Sequence, residues 1–402
     1  MDTSNSTPFL KNLKGLGLMY IVLCISMIPL ALDGYSSYLL ILLIPYVFKS
    51  KINLCSILVI CFSLSYTLSF FFRSEDLPLS NFFFYSLFPL IIFSCGSSII
   101  QNKIADNTLI IIILSLVICL ASTSIIPNIA NFIQTGEVIA PTRIVNYSEE
   151  SNLSATAYGL LLSLGIAGIG TAVLQTSNSF ETKIKFWLIL LGIISLFCCI
   201  HLTNRTGVVL GIFALLTGIL LNSSNFKGFL LVLVILILLF LIYELFLSGA
   251  SFYAEIVESY QKREENYTWD TGGDRFNRWD DALYQILIRP LGFSEYDDYI
   301  YAHNMWLDAG IRGGLISFGL LIVLTVLYIK YLIEFKKERY LSAFETNYIV
   351  ILSIIMFSQA MVEPVIEGAY QFFLFFFFML GILSSFHKRG SAIITTRIDQ
   401  NT

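Results

Sequence analysis

The residues of this chain best suited to chemistry lie in two neighbouring stretches. A histidine followed by an asparagine, His303 and Asn304, interrupts the segment YIYAHNMWLDAGIRGG, between a charged stretch and a long apolar one. Shortly upstream, RFNRW contains Arg275, Arg278 and Trp279. Guanidinium groups bind phosphate or carboxylate through paired hydrogen bonds, and an imidazole exchanges its proton near neutral pH. These residue types predict a site for an anionic ligand.

A short helix is predicted to carry the upstream residues. The mixture of polar and apolar side chains over 275–287 suits a helix that lies in a membrane interface. On such a helix Arg275 and Trp279 share one face, one turn apart. Pro290 and Gly292 are then expected to end it.

A second helix is predicted to start near His303. Its first turns contain glycines at 310, 313 and 314, and glycine on a helix surface lets neighbouring backbones approach closely. We therefore expect His303 at the mouth of a closely packed helix.

The composition indicates the class of protein. Of the 402 residues, 56% are hydrophobic and only 13% are charged, against roughly 25% charged in soluble domains. Apolar residues run in blocks of about 20, the length of a helix that crosses a bilayer. The sequence therefore predicts an all-α polytopic membrane protein, with 1–402 as a single integral membrane domain. Too little polar surface is left to cover a large soluble core.

The apolar blocks predict twelve transmembrane helices and two long loops on the outer side of the membrane. The N-terminal block lacks a small-residue cleavage site, so we expect it to be retained as the first helix. The loops are 128–153 and 249–304, of which the second is the larger. The spans are expected near residues 16–33, 35–48, 52–72, 80–100, 107–127, 154–175, 186–203, 206–222, 228–248, 311–334, 347–362 and 370–386.

Lysine and arginine divide unequally between the two sides of this topology. With both termini in the cytoplasm, 12 of the 13 lysines lie inside, as the positive-inside rule requires. Either cation could set the orientation, yet most arginines face outward, where the guanidinium fork suits an anionic ligand. These outer arginines are Arg73, Arg143, Arg205, Arg263, Arg275, Arg278, Arg289 and Arg312.

Arg205 lies closest to the hydrocarbon. Only HLTN separates it from the preceding apolar block, and charge near the hydrocarbon boundary is expensive and usually functional. We expect it to bind ligand; the alternative is that it extends to the membrane surface. Arg143 lies in the 128–153 loop. Some outer arginines are expected to pair with acids, because 249–304 contains eleven Asp or Glu residues.

No metal site is expected. All seven cysteines fall within apolar blocks, as small packing residues do, and none has metal-ligand spacing. The acidic pairs at 280–281 and 297–298 are adjacent in sequence, so their side chains point apart. We likewise expect no cofactor and no nucleic-acid partner.

Several motifs, taken in order, resemble the O-antigen ligase and polymerase superfamily of bacterial inner-membrane glycosyltransferases. RFNRW, IRPLGF and YAHNMWLDAGIRGG are similar to its signature region, in which nine residues separate a His-Asn pair from a glycine, here Gly314. Ser317, three positions further on, is a departure. TRIVNYSEESNLSATAYGLLLSL and LTNRTGVVLGIFALL look like two earlier family segments, which contain Arg143 and Arg205. The resemblance covers roughly 140–320, and the first 130 residues only in hydropathy.

The resemblance implies a GT-C-like fold and a donor glycan on undecaprenyl pyrophosphate. It also implies a protein of the bacterial inner membrane, whose two long outer loops, 128–153 and 249–304, are periplasmic and carry the site. Glycan transfer leaves negative charge on the departing pyrophosphate oxygen, which positioned cations stabilise. Arg205 and Arg275 would hold the pyrophosphate, and His303 would accept the proton of the attacking hydroxyl. The alternative for His303 is a structural hydrogen bond to the loop. The implied substrate-binding residues are Arg143, Arg278, Asn304 and Trp279.

A further segment, EPVIEG at 363–368, permits two interpretations. Its acids could contact sugar hydroxyls, or it could be a plain loop between the last two spans. Of the other histidines, His201 and His387 have no comparable motif.

Several functions stay open at this point. A polymerase would extend another lipid-linked repeat unit, and a ligase would modify the lipid A core. We favour the polymerase because polymerases are the more numerous and divergent group. A polysaccharide-lipid transporter or flippase would carry charges in mid-span, and a scaffold would leave the outer arginines unexplained. Expected partners are the bilayer, the lipid-linked oligosaccharide, and a chain-length regulator and flippase of the same pathway.

Overall fold

The computed structural model describes residues 7–28, 31–49, 52–71, 79–101, 106–136, 155–202, 204–222, 275–292 and 302–399. Within these ranges the chain is helical and contains no β-strand, so the predicted all-α class is confirmed for them. We number the α-helices in chain order. They are α1 Thr7–Ser26, α2 Ile44–Lys49, α3 Leu54–Phe71, α4 Leu79–Ser86, α5 Phe88–Gln101, α6 Asp106–Thr135, α7 Ala155–Ile166, α8 Ser179–His201, α9 Arg205–Asn222, α10 Arg275–Ile288, α11 Met305–Glu338, α12 Ala343–Ala360, α13 Val365–Gly368 and α14 Tyr370–Asp399.

Many of these helices have the length and apolar composition of membrane spans. Seven segments of the described chain are long enough to cross a bilayer: Phe82–Gln101, Thr108–Thr135, Ser179–His201, Arg205–Asn222, Met305–Glu338, Ala343–Ala360 and Tyr370–His387. Shorter apolar helices occupy Gly17–Ser26, Ser36–Phe48, Leu54–Ser69 and Ala157–Val173. The chain is therefore a multi-pass membrane protein. The count of twelve stays a prediction, because the span expected at 228–248 lies outside the described residues.

Two of the shorter segments contain 3-10 helices, which rise more steeply than α-helices. Ala31–Leu43 is a 3-10 helix that leads into α2, and Ala167–Val173 continues α7. With rises of about 2.0 Å per 3-10 residue and about 1.5 Å per α residue, the two combined segments extend roughly 35 Å and roughly 32 Å. These lengths are close to the thickness of a hydrocarbon core, about 30 Å.

Helix α6 is longer than the sequence predicted. We expected the span to end at 127 and a loop to begin at 128, but the helix continues to Thr135, past Pro127. Two asparagines of this part of the helix bond to other helix residues. Asn128 Nδ2 donates to Ser124 O at 2.6 Å, and Asn131 Oδ1 lies 3.0 Å from His201 Nε2 at the end of α8. The contact between Asn131 and His201 holds the extension of α6 against the end of α8.

The centre of the described bundle is the contact between α5 and α14. The phenylalanine-rich start of α14, from Phe372 to Phe378, is buried. Gly96 on α5 faces Phe378 O, and Gly381 on α14 faces Phe93 O, so closely that a β-carbon at either glycine would overlap the opposing carbonyl. Close backbone approach through small residues is how helices associate within a bilayer.

Helix α11 is two helices joined at a sharp break. Gly314 has φ 76° and ψ 178°, which interrupts the helix. The first nine residues then fold back beside the rest, because Trp306 Nε1 donates to Thr325 Oγ1 at 2.8 Å. In one straight helix, residues nineteen apart would be separated by about 28 Å. The glycines were expected only to permit close approach; Gly314 instead reverses the chain.

Candidate functional site

Helix α10 and the first half of α11 lie side by side and run in the same direction. The predicted boundaries of α10 are confirmed, since it spans Arg275–Ile288 and Gly292, with φ 93°, follows it. The contacts occur in the same order along both helices, so their N-terminal ends meet. Near the start of α10, Trp279 Nε1 donates to Ala302 O at 2.8 Å. Further along, the Ile286 side chain packs against Gly310. After the end of α10, Pro290 O accepts a hydrogen bond from Leu315 N at 2.9 Å.

Asn304 begins α11. Its side-chain Oδ1 accepts hydrogen bonds from Trp306 N at 3.1 Å and Leu307 N at 3.2 Å, which is an N-cap. Its Nδ2 donates to Met361 O at 3.2 Å, just after the end of α12. Asn304 thus fixes the start of α11 against the end of α12.

Asp308 shapes the turn that presents His303. This buried carboxylate accepts from Ala302 N at 2.8 Å and from Asn304 N at 3.1 Å. His303, between the two donors, has φ 53°. A left-handed conformation is uncommon outside glycine, although histidine is among the residues enriched in it. The Asp308 bonds hold the backbone in this conformation, in which His303 Nδ1 lies 3.8 Å from Glu363 Oε2.

Glu363 joins the two sequence motifs. It lies in the short connection between α12 and α13, and its side chain is only 2% exposed. Arg275 Nη2, at the first residue of α10, lies 3.5 Å from Glu363 Oε1. His303 Nδ1 lies 3.8 Å from Glu363 Oε2. The structure therefore brings Arg275 and His303 together across a single buried carboxylate.

Positively charged groups lie close to Glu363. Helix α10 and the first half of α11 both have their N-termini beside Glu363, and a helix N-terminus carries a partial positive charge. Arg275 adds a full charge, and its side chain is 29% exposed. The part of the site open to solvent can accept a second anion on Arg275, with the imidazole of His303 beside it.

Arg205 stands at the first residue of α9. Asn204 precedes it and caps the helix, since its Oδ1 accepts from Gly207 N at 2.9 Å. Asn204 is buried against Gly159 of α7, where a β-carbon would overlap its amide. Arg205 is half-buried. Because Asn204 caps α9 and packs against Gly159 of α7, the position of Arg205 depends on the contact between α7 and α9.

Helix α7 connects Arg205 to the Glu363 side of the bundle. Ala157 and Leu160 of α7 face Gly368 of α13, whose backbone N–H donates to Pro364 O at 2.9 Å. Pro364 follows Glu363 directly. We call this end of the bundle, where α8 and α12 finish and α7, α9 and α14 begin, the site end. Arg205, Arg275 and His303 all lie at it.

The other predicted site residues are placed differently. Trp279 and Asn304 bond to protein backbone, so in this structure they position the turn at 302–304. Arg278 is half-buried one turn along α10 from Arg275. Arg143 lies outside the described residues, so its predicted role stays a prediction.

Sequence reasoning does not identify three polar residues of the site. The sequence marks Glu363 only as part of a segment with an open role. Asp308 stands four residues after Asn304, in the first turn of α11, and that position is the available signal. Gln359 is fully buried one turn before Glu363, and neither amide atom has a hydrogen-bond partner in the described structure. No sequence pattern marks Gln359.

Within the described ranges, no group of three or more His, Cys, Asp or Glu side chains could hold one metal ion. Comparison with protein-family models gives no match, and comparison with curated proteins gives none either. The resemblance to the ligase and polymerase superfamily therefore rests on the sequence motifs quoted above.

Proposed function

We propose that this protein is a glycosyltransferase of the bacterial inner membrane that polymerises O-antigen or a related surface polysaccharide. It transfers a glycan from undecaprenyl pyrophosphate to a lipid-linked repeat unit at the periplasmic face, without a metal ion. The observation that carries this proposal is the meeting of Arg275 and His303 at Glu363, at the same end of the bundle as Arg205.

The proposed chemistry divides between the arginines and the histidine. Arg205 and Arg275 bind the donor pyrophosphate, with Arg143 and Arg278 beside them. As the bond between the anomeric carbon and the pyrophosphate oxygen breaks, its electron pair moves to that oxygen, where positioned cations stabilise the charge. His303 accepts the proton of the acceptor hydroxyl as its oxygen bonds to the anomeric carbon.

The distribution of lysine supports a periplasmic site. Lys183 and Lys185 lie at the start of α8, and His201 lies at its other end. Lys336 and Lys337 lie shortly before the start of α12, and Asn304, next to His303, bonds to Met361 O beyond the other end of α12. Lysine-rich ends face the cytoplasm. The proposal therefore retains twelve spans, cytoplasmic termini and periplasmic loops that continue from the site end.

A gel of surface lipopolysaccharide tests the function. We expect a strain lacking the protein to make core that carries a single repeat unit. Bare core, with long chains left on the lipid carrier, would instead indicate a ligase. An unchanged ladder, with intermediates unchanged as well, would exclude both reactions for this polysaccharide.

Variants test the site within the same assay. Arg205→Ala and His303→Ala are expected to lower polymer formation by about 100-fold or more, because each removes a group that acts in the transition state. Lys336→Ala, an exposed residue at the opposite end, is the matched control and should restore the ladder fully. Equal membrane levels of the three variants are required, and full activity of both site variants would contradict the assignment.

A further inference from the structure

Two buried atoms of the site face each other without a hydrogen bond. Glu363 Oε2 and His303 Nδ1 are separated by 3.8 Å, and neither has a hydrogen-bond partner in the described structure. The donor and acceptor of an N–H···O hydrogen bond are about 2.7–3.2 Å apart, so these two atoms are about 1 Å too far apart to form one. Buried polar groups are nearly always bonded, and an unmade bond at this place requires an explanation.

The other oxygen of the same carboxylate accounts for the gap. Glu363 Oε1 lies 3.5 Å from Arg275 Nη2, so each oxygen of the carboxylate faces a different partner. A carboxylate of fixed size held between the two partners reaches neither at full hydrogen-bond distance. Arg275 is also the more exposed partner of Glu363, with 29% of its side chain open compared with 24% for His303. An incoming anion can therefore reach the guanidinium.

We propose that Glu363 is a positioning residue that changes partners when the donor binds. The donor pyrophosphate binds Arg275 in place of Glu363, and the released Glu363 carboxylate moves to hydrogen-bond His303 Nδ1. This inference rests on the proposed function and concerns the regulation of the same site. Before the donor binds, Glu363 occupies the anion position beside Arg275, and His303, the general base, lacks its hydrogen bond to Glu363. After binding, the hydrogen bond from Nδ1 leaves Nε2 as the proton acceptor.

The transfer step balances with this arrangement. The acceptor oxygen forms a bond to the anomeric carbon, and the bond from that carbon to the pyrophosphate oxygen breaks with its electron pair. The hydroxyl proton moves to His303 Nε2, and Glu363 stabilises the imidazolium through Nδ1–H. Because the base is completed only with donor in place, an acceptor that arrives first is not activated.

Binding of farnesyl pyrophosphate, a short soluble polyprenyl pyrophosphate, tests the first half of the proposal. The assay uses the full-length protein in lipid nanodiscs. Glu363→Gln removes the negative charge that competes for Arg275, so we expect the variant to bind about threefold to tenfold more tightly than the wild type. Arg275→Ala should abolish binding. The matched control is Glu334→Gln, which removes another Glu–His contact, the one with His387 at the opposite end, and should leave the Kd unchanged.

Steady-state transfer kinetics test the second half. For Glu363→Gln we expect a lower KM for the donor together with a kcat reduced about tenfold or more. A residue with a merely structural role would not change the two constants in this combination. If the glutamine variant does not fold, Glu363→Asp replaces it in the assay, because the shorter aspartate side chain also withdraws from Arg275. We expect the same lower KM for the donor and the same lower kcat.

The outcomes separate this inference from the proposed function. If wild-type protein binds farnesyl pyrophosphate and Arg275→Ala does not, but the Glu363 variants bind no more tightly or keep full kcat, the exchange of partners is wrong and the pyrophosphate site stands. If wild-type protein shows no binding that depends on Arg275, the proposed pyrophosphate site and this inference are both overturned.

Discussion

Trp306 and Thr325 lie nineteen residues apart on either side of the break in α11, yet Trp306 Nε1 donates a hydrogen bond to Thr325 Oγ1 at 2.8 Å. This contact exists because the chain reverses at Gly314. The reversal turns the N-terminus of α11 back into the bundle, where Asn304 bonds to Met361 O beyond α12. His303 consequently faces Glu363. The proposed function depends on that reversal.

Substitution of Gly314 should be severe. Its backbone at φ 76°, ψ 178° is accessible almost only to glycine, and a β-carbon would overlap Pro290 O. We expect Gly314→Ala to destabilise the protein by about 1–3 kcal/mol or more and to abolish transfer. Thermal unfolding in detergent and the lipopolysaccharide ladder measure the two effects.

Gly319 is the matched control for that substitution. It lies in the second half of α11, and a β-carbon added there would have no atom within 4 Å. Gly319→Ala should be neutral or stabilise by up to about 1 kcal/mol, since alanine favours helix. If Gly314→Ala behaved like Gly319→Ala, the chain reversal at Gly314 would be refuted.

Two helix caps of the same kind should differ in their functional effect. Asn304 caps α11 at the site, and Ser342 caps α12 within a capping box. Replacing either with alanine should cost about 1 kcal/mol of stability. Only Asn304→Ala should also reduce kcat, because it frees the turn that presents His303. Equal activity of the two variants, at equal loss of stability, would argue that Asn304 is only structural.

A substitution on α7 should act on Arg205 at a distance. A β-carbon at Gly159 would overlap the amide of Asn204, which caps α9 immediately before Arg205. We expect Gly159→Ala to raise the KM for the donor several-fold by displacing the start of α9. Gly17→Ala on α1, where a β-carbon would have no atom within 4 Å, is the control. An unchanged KM would show that Arg205 does not depend on this contact.

The sidedness of the site can be measured with single cysteines. In a background with the seven native cysteines replaced, Asp281→Cys on α10 and Lys337→Cys at the end of α11 are both exposed positions. A membrane-impermeant maleimide should label Asp281→Cys in cells with a permeable outer membrane, and Lys337→Cys only after lysis. The reverse pattern would place the site in the cytoplasm and rule out a periplasmic transferase.

Local features of the sequence determined the class of the protein and several of its elements. Apolar blocks of about 20 residues require helices in a bilayer, because backbone groups in hydrocarbon must bond within the segment. The end of α10 follows from Pro290 and Gly292, whose effects extend about one turn, and the start of α11 was expected near His303. These predictions needed no knowledge of what lies beside each helix.

Only the tertiary structure decided which of these elements meet. Arg275, His303 and Glu363 come from three segments, and each meets its partners because packing places two helix N-termini beside the connection after α12. The extension of α6 to Thr135 depends likewise on His201 of α8, and the position of Arg205 depends on Gly159 of α7. Contacts between segments far apart in the chain follow from how whole helices pack, and hydropathy and turn residues carry no information about that packing.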